Sequence, residues 1–404
     1  MEKKDSGEGQ IRVLQLIAPA TLGGAERVVL SIQESIGRGG EEESHFTSSL
    51  GIFIWVRRPD NVFLRQVRDH RYPHIVFPMR FTFDWANLAQ LFRYLKAERI
   101  HLLHTHGYRS DIVGLLCARA ARIPVITTLH GWTATDRKVQ GYEGIQRRIL
   151  PFFDAIIAVS EEIKDRLIRQ RGIKPGKIRV LQNAVRIPLG EEDRASPLAA
   201  GRVVAAGRQH TRRQFGCDPD ALVIGFVGRL SPEKNPADLL TVVSLLIPRL
   251  PKLVCWIVGE GPLRPYLERQ AGELGIARQV CFLGFQADMG SIYQALDVLA
   301  ITSRTEGTPL ALLEAMAFGL PVVSMRVGGV GALLEQGIDG LLVNPGDMAG
   351  MAESLARVLT DPLLAGKLGS AARKKIRARF AVDGWIKKIQ EVYGECLGKK
   401  PDPN

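Results

Sequence analysis

Leu222-Val223-Ile224-Gly225-Phe226-Val227-Gly228-Arg229-Leu230-Ser231-Pro232-Glu233-Lys234-Asn235 is an apolar, β-branched run that stops at a glycine and turns basic. An apolar run of this length, closed by turn formers, reads as a strand buried on both faces, which is the habit of parallel sheets. The pattern repeats downstream, with strands expected at 253–258, 279–283, 298–302, 321–324 and 340–343 and helices between them. Upstream the same alternation places strands at 11–17, near 51–56, and at 100–105, 125–129, 155–159 and 178–181. Helices are expected at 24–36, 108–121 and 160–170, the last opened by Ser160 ahead of two glutamates. Strand and helix in regular alternation define an α/β protein with parallel sheets.

Between the two series, residues 186–220 carry Pro188, Pro197, Gly201, Gly207 and Pro219 among charged side chains. This stretch reads as a bridge between domains, with a short helix near 208–215. The domains expected are 1–190 and 191–380. The tail at 381–404 belongs to a helical stretch longer than the second sheet needs, and its last part is expected to cross back onto the first domain. Two such units should face one another across a cleft, with ligands at the carboxyl ends of the strands.

The 404 residues are 46% hydrophobic, enough for two cores, and no apolar run is long and uncharged enough for a membrane span. The polar start, 1–10, shows no secretory signal. Five cysteines without paired spacing fit reduced thiols in a cytoplasmic protein. The excess of 54 Lys and Arg over 42 Asp and Glu gives a net +12, which suits nucleic acid, an anionic membrane or a phosphorylated substrate. No nucleic-acid module accompanies the charge, so no nucleic-acid partner is expected. The densest basic stretch runs from Arg137 to Arg179. Within it Val139, Tyr142, Ile145, Ile149, Phe152 and Phe153 recur at helical spacing. That stripe fits a helix lying at the inner face of an anionic membrane, and equally a helix packed on a core with its charges in water.

Glu306-Gly307-Thr308-Pro309-Leu310-Ala311-Leu312-Leu313-Glu314 reads as a helix start, with Thr308 as N-cap and Pro309 in the first turn. The free amides of Leu310 and Ala311 would then form an anion seat at the positive end of the dipole. Glu314, one turn on, suits hydrogen bonds from sugar hydroxyls, and Glu306 sits on the loop ahead. An ordinary capped helix explains the same letters. The loop after 222–227 adds Arg229, a planar fork for phosphate oxygens, and Lys234, a mobile point charge. Its plain alternative is a surface loop in which Glu233 pairs Lys234. Such cations act most strongly on charge that grows as a diphosphate departs.

Other strand ends add Gly259-Glu260-Gly261, whose glycines let backbone approach a ligand, and Gly23-Gly24 after Thr21-Leu22, which opens a helix. The latter pair lacks the dinucleotide fingerprint. His106 and His130 each end a strand and precede a glycine, where an imidazole can bond hydroxyls or phosphate or move protons. His101 and His104 read as structural. The one Asp-x-Asp triplet before the tail, Asp218-Pro219-Asp220, precedes a strand and reads as a turn, so neither metal nor cofactor is expected.

Together Gly23-Gly24-Ala25-Glu26, Thr128-Leu129-His130-Gly131, Gly228-Arg229 to Lys234, Val258-Gly259-Glu260-Gly261-Pro262, Glu306 through Ala317, and Gly340-Leu341-Leu342-Val343 with Pro345-Gly346-Asp347 resemble the retaining glycosyltransferases of GT-B fold, family 4 type. The resemblance covers nearly the whole chain in order. It implies two Rossmann-like domains, an acceptor-binding one followed by a donor-binding one. It implies transfer of a hexosyl or acetylhexosaminyl group from a nucleotide diphosphate sugar, a UDP-sugar ahead of a GDP-sugar, to a hydroxyl of a glycan or lipid-linked acceptor. Such a reaction belongs to cell-surface polysaccharide synthesis. Carried across, Arg229 and Lys234 grip the diphosphate, Glu306 contacts the moving sugar, Glu314 the ribose, and His130 the reacting centre. Gly23-Gly24 closes under the donor, with Gly228, Gly259, Glu260, Gly261, Thr308, Leu310 and Ala311 also at the donor and His106 toward the acceptor. The chain departs from many relatives at Gly307-Thr308-Pro309 and at Gly331-Ala332. Two other readings fit this scaffold: a nucleotide-sugar epimerase, and a non-catalytic sugar-nucleotide-binding protein.

Overall fold

A computed structural model of the chain describes residues 10–19, 22–37, 45–59, 61–81, 84–131, 137–170, 172–188 and 197–398. It divides into two compact units, Met1–Asn183 with Val382–Asn404, and Ala184–Ala381.

The first unit contains β1 (Ile11–Ile17), α1 (Gly24–Gly37), β2 (Phe46–Trp55), α2 (Val62–Asp69), β3 (His74–Met79), α3 (Trp85–Ala97), β4 (Leu102–His106), α4 (Tyr108–Ala121), β5 (Val125–Leu129), α5 (Arg137–Ile149), β6 (Ala155–Ala158), α6 (Glu161–Ile168) and β7 (Ile178–Val180). Its strands lie in the order β3-β2-β1-β4-β5-β6-β7, every pair parallel. The central strands β4 and β5 are buried along their whole length, and their polar side chains His104, His106 and Thr127 are hydrogen-bonded within the unit. Sequence patterning missed α2, β3 and α3. Strand β3 is an edge strand, and its Pro78 is tolerated there because no neighbour needs that N–H.

The second unit contains α7 (Pro197–Gln214), β8 (Leu222–Val227), α8 (Pro236–Leu246), β9 (Leu253–Val258), α9 (Arg264–Glu273), β10 (Val280–Gly284), α10 (Met289–Ala295), β11 (Val298–Ile301), α11 (Leu310–Ala317), β12 (Val322–Met325), α12 (Val330–Leu333), β13 (Leu341–Val343), α13 (Met348–Thr360) and α14 (Pro362–Arg379). Its sheet runs β10-β9-β8-β11-β12-β13, again all parallel.

The expected bridge with a short helix is corrected here. Of residues 186–220, those at 189–196 lie outside the described residues, and the next eighteen form α7, part of the second unit. Pro197 opens this helix where its missing N–H costs nothing. Arg212, 2% exposed, donates to the carbonyls of Ala295, Pro219 and Ala221 and pairs with Asp297 at 2.7 Å. A buried guanidinium with all three of its nitrogens hydrogen-bonded pins a helix as firmly as an apolar face does.

Helix α15 (Val382–Cys396) follows α14 and belongs to the first unit. Tyr393 is fully buried and meets Phe46 edge-on at 5.6 Å, while Arg179 pairs with Glu395 at 2.7 Å.

Candidate functional site

In the second unit strand order reverses between β8 and β11, so the loops leaving these neighbours diverge and open a crevice at their carboxyl ends. The loop after β8 carries Arg229 and Lys234; the loop after β11 carries Ser303 and Glu306. Lys234 Nζ donates to both carboxylate oxygens of Glu306, at 2.7 and 2.8 Å, and Ser303 Oγ donates to Oε1 at 2.6 Å. The Glu306 side chain is 6% exposed and that of Lys234 29%. A carboxylate so enclosed is tolerable only with partners of this kind. An ammonium has three N–H groups, so one of Lys234 is left for another acceptor.

The expected alternative, a surface pairing of Glu233 with Lys234, is not formed. Glu233 instead accepts from Ser231 Oγ at 2.6 Å, and its carbonyl accepts from Arg304 N at 2.9 Å. Thr302 Oγ1 donates to Asn235 O at 2.9 Å, and Gly329 N to Glu306 O at 2.9 Å. These bonds tie the two loops and the glycine turn after β12 into one rigid rim. Arg229 is exposed and has no ion-pair partner among the described residues.

The glycines after β9 serve a neighbour more directly than a ligand. A Cβ on Gly259 would stand 2.0 Å from the carbonyl oxygen of Gly228, and one on Gly261 2.3 Å from that of Leu230. Gly259 also has φ +131°, which L side chains rarely adopt. They press the β9 loop onto the β8 loop and so hold Gly228 and Arg229 in place. Glu260 points to the surface and pairs with Arg264 at 3.1 Å.

Thr308 is not the N-cap of α11. It is 5% exposed, and Pro309, with ψ 120°, takes the cap position without a side-chain bond. The helix starts at Leu310, so Leu310 and Ala311 still stand in the first turn, where amides lack intrahelical partners. Glu314 is half-buried and accepts from Tyr293 Oη at 2.7 Å.

In the first unit the order reverses between β1 and β4. His106 ends β4 and His130 follows β5; each precedes a glycine with positive φ, Gly107 at +87° and Gly131 at +114°. His106 Nδ1 lies 3.4 Å from His130 Nε2, and His106 Nε2 lies 3.0 Å from Gln15 Oε1. Burial pushes the His130 imidazole down to about 4 and holds His106 well below its usual range, with His104 and His130 adding to the effect on His106. His104 is wholly buried between Tyr393 and Thr128. His101 accepts from Arg12 N at 3.0 Å on the surface. Gly23 precedes α1 and its N–H donates to Glu26 at 3.0 Å, closing the helix start with Gly24 as first residue; Thr21 lies outside the described residues. Ser303, Tyr293, Gln15 and Tyr393 escaped sequence reading. Only Ser303, three residues before Glu306 on a strand end, carried a usable signal.

The basic stretch of the first unit divides. Tyr142 stacks on Tyr108 at 5.6 Å and Phe153 is buried, whereas Ile145, Phe152 and Ile168 are exposed. A cavity of about 800 Å³ is lined by Arg147, Arg148, Arg166 and Arg169 with a single carboxylate, Glu143. Arg166 pairs with Glu162 at 2.5 Å; Arg148 and Arg169 have no ion-pair partner among the described residues. Arg171 lies outside those residues, as does the side chain of Arg137. No helix among the described residues is long and apolar enough to cross a membrane.

Two all-parallel α/β units, each with polar groups gathered where its strand order reverses, are the architecture of the GT-B fold. A family model described as Glycosyl transferases group 1 matches residues 207–375, and one described as Glycosyltransferase Family 4 matches residues 22–187. The chain is 29% identical over 326 residues to an Escherichia coli UDP-Gal:alpha-D-GlcNAc-diphosphoundecaprenol alpha-1,3-galactosyltransferase, covering 78% of this chain and 81% of that one. It is 31% identical over 317 residues to a D-inositol 3-phosphate glycosyltransferase of Streptomyces bingchenggensis, covering 73% and 67%. Among solved structures it resembles Anabaena HepE in complex with UDP and glucose, with TM-score 0.81, 24% identity and coverage of 96% and 100%. The chain belongs to the group 1 glycosyltransferases, family 4 type, and is an enzyme of that class.

Proposed function

We propose that the chain moves a hexosyl or acetylhexosaminyl group from a UDP-sugar to a hydroxyl of a glycan or lipid-linked acceptor, with retention of configuration. The Lys234–Glu306–Ser303 cluster at the β8/β11 crevice carries the reading. The third N–H of Lys234, the fork of Arg229 and the first-turn amides of α11 suit a departing diphosphate, whose growing charge they stabilise. Glu306 Oε2, bonded to Lys234 alone among the described residues, keeps a lone pair for a hydroxyl of the moving sugar. Glu314 takes the ribose and His130 the reacting centre, as the resemblance implies, with the first unit reading the acceptor. The Escherichia coli relative, by its name, uses a UDP-sugar and a lipid diphosphate, which supports this donor and acceptor class. Purified protein should release UDP from a UDP-hexose, with Glu306→Gln and Lys234→Gln lowering kcat at least about 100-fold. Absence of any nucleotide-sugar binding by calorimetry would overturn the reading. A thermal-shift series of UDP-, GDP- and ADP-sugars ranks the donors, because a bound ligand stabilises by mass action.

Contact with an anionic membrane is favoured by the four-arginine cavity beside exposed Ile145, Phe152 and Ile168. Like charges converge on one carboxylate, and the exposed apolar side chains suit an interface. The chain should sediment with phosphatidylglycerol vesicles and not with phosphatidylcholine. Arg148→Gln with Arg169→Gln should weaken binding by roughly 30-fold, at about 1 kcal/mol per basic residue. Equal partition onto neutral vesicles counts against this contact.

A further inference from the structure

A line of hydrogen bonds runs from His130 into the interior of the first unit. His130 Nε2 meets His106 Nδ1 at 3.4 Å, and His106 Nε2 meets Gln15 Oε1 at 3.0 Å. Gln15 Nε2 donates to Tyr393 Oη at 2.9 Å; the phenol lies 2.8 Å from His104 Nδ1, and His104 Nε2 lies 2.8 Å from Thr128 Oγ1. Gln15, His104 and Tyr393 are fully buried, and His106 is 3% exposed. A parallel sheet needs no such groups in its interior, where unsatisfied polar atoms are costly and apolar ones would pack as well.

The direction of each bond follows from the far end. Tyr393 accepts from Gln15, so its single hydrogen goes to His104 Nδ1, the other partner within reach among the described residues. His104 then carries its proton on Nε2 and donates to Thr128. Gln15 has its amide nitrogen on Tyr393 and turns its carbonyl to His106, which must donate from Nε2 and accept at Nδ1. His130 is left donating from Nε2, with no proton on Nδ1.

We propose that Gln15 and Tyr393 are positioning residues that act through His106 to hold His130 as the Nε2–H tautomer, offering its Nδ1 as a hydrogen-bond acceptor to a hydroxyl at the reacting centre. The last clause rests on the role given to His130 above; the tautomer assignment does not. Burial supports it, holding His104 at about 3 and His130 at about 4, so these rings are neutral near pH 7 and the tautomer is the remaining variable. The device joins β1, β4 and β5 to α15, which is separated from them in sequence by the entire second unit.

Long-range ¹H–¹⁵N spectra of histidine-labelled full-length protein read the tautomer directly, with His130→Asn identifying the resonances. The wild type should show His130 protonated on Nε2. Tyr393→Phe frees the Gln15 amide to turn over, and Gln15→Leu removes it; both should convert His130 to a mixed or Nδ1–H population. In transfer assays both should lower kcat by roughly 10- to 100-fold, with the donor KM within about twofold. A wild-type His130 protonated on Nδ1, or an unchanged tautomer in both folded variants, overturns the proposal. If the tautomer shifts while kcat holds, the relay stands and the role of His130 at the reacting centre fails. Tyr393→Phe changes one atom in the interior, so a folding defect in Gln15→Leu leaves the first variant and the wild-type spectrum decisive.

Discussion

At the residue scale, the Lys234–Glu306 pair gives a sharp expectation for stability. Replacing Lys234 by Met leaves a buried carboxylate with Ser303 alone, and should cost about 1–3 kcal/mol by urea unfolding, allowing for the partial exposure of Lys234. Adding Glu306→Leu to that variant should restore most of the loss while transfer stays absent. Asp111 is a second case. It is fully buried and accepts from Thr127 Oγ1 at 2.8 Å, from Thr105 Oγ1 and from Gln146 Nε2; burial nonetheless lifts its carboxyl to about 6. A folded-state value raised above the unfolded one means stability is fully present below about pH 4 and is lost as pH rises through about 6. Asp111→Asn lacks this term, so its destabilisation should be larger at pH 4.5 than at pH 7.5 in urea titrations. The letters announced Lys234, Glu306 and His130, because each is a charged or titratable side chain at a strand end. They did not announce Gln15 or Tyr393, whose bond spans 378 positions. No local pattern records which distant side chain closes a hydrogen bond.

At the element scale, a tight requirement lies in the glycine turn after β9. Gly259→Ala combines a clash with backbone and a disfavoured φ, and should destabilise by about 2 kcal/mol or more and weaken donor binding, through displacement of the Arg229 loop. Gly24→Ala meets nothing within 4 Å at the start of α1, and its thermal midpoint should stay near that of the wild type. Comparable melting of the two variants would refute the packing role. Strands β1, β5, β8 and β9 were readable to the residue, since each is a short run dominated by β-branched and other apolar residues and closed by turn formers. Helix α7 and strand β3 were not. Glycine and proline at 197, 201 and 207 imitate a linker, and an edge strand shares little of the core that makes strands legible. The start of α11 falls at Leu310, one residue past the expected Pro309, a shift that capping preference does not contain.

At the scale of the whole molecule, the first unit is completed by the end of the chain. Trp385, Ile386, Ile389, Val392 and Tyr393 of α15 are buried, so ending the chain at Ala381 should expose the interior of that unit. Hydrogen exchange of the truncated protein should show β1, β2 and β4 losing protection while β8 and β9 retain it; uniform protection would argue against this. The buried imidazoles act with the opposite sign to Asp111. Their values are depressed below the unfolded one, so their contribution is present above about pH 6.5 and lost as pH falls toward about 4 for His130 and about 3 for His104. His106 adds in the same direction, and three imidazoles outweigh one carboxyl, so the thermal midpoint should fall steadily from pH 7 to pH 4. By itself the sequence determined the two parallel α/β series, the family and the charged strand-end residues, because hydrophobic period and short motifs are local properties of the chain. Tertiary structure alone decided that Lys234 bonds Glu306, that the glycines of the β9 loop serve a neighbouring loop, and that a tyrosine near the chain's end sets the hydrogen bonds behind His130. Those are contacts between residues far apart in sequence, and only the packing of finished elements brings them within bonding distance.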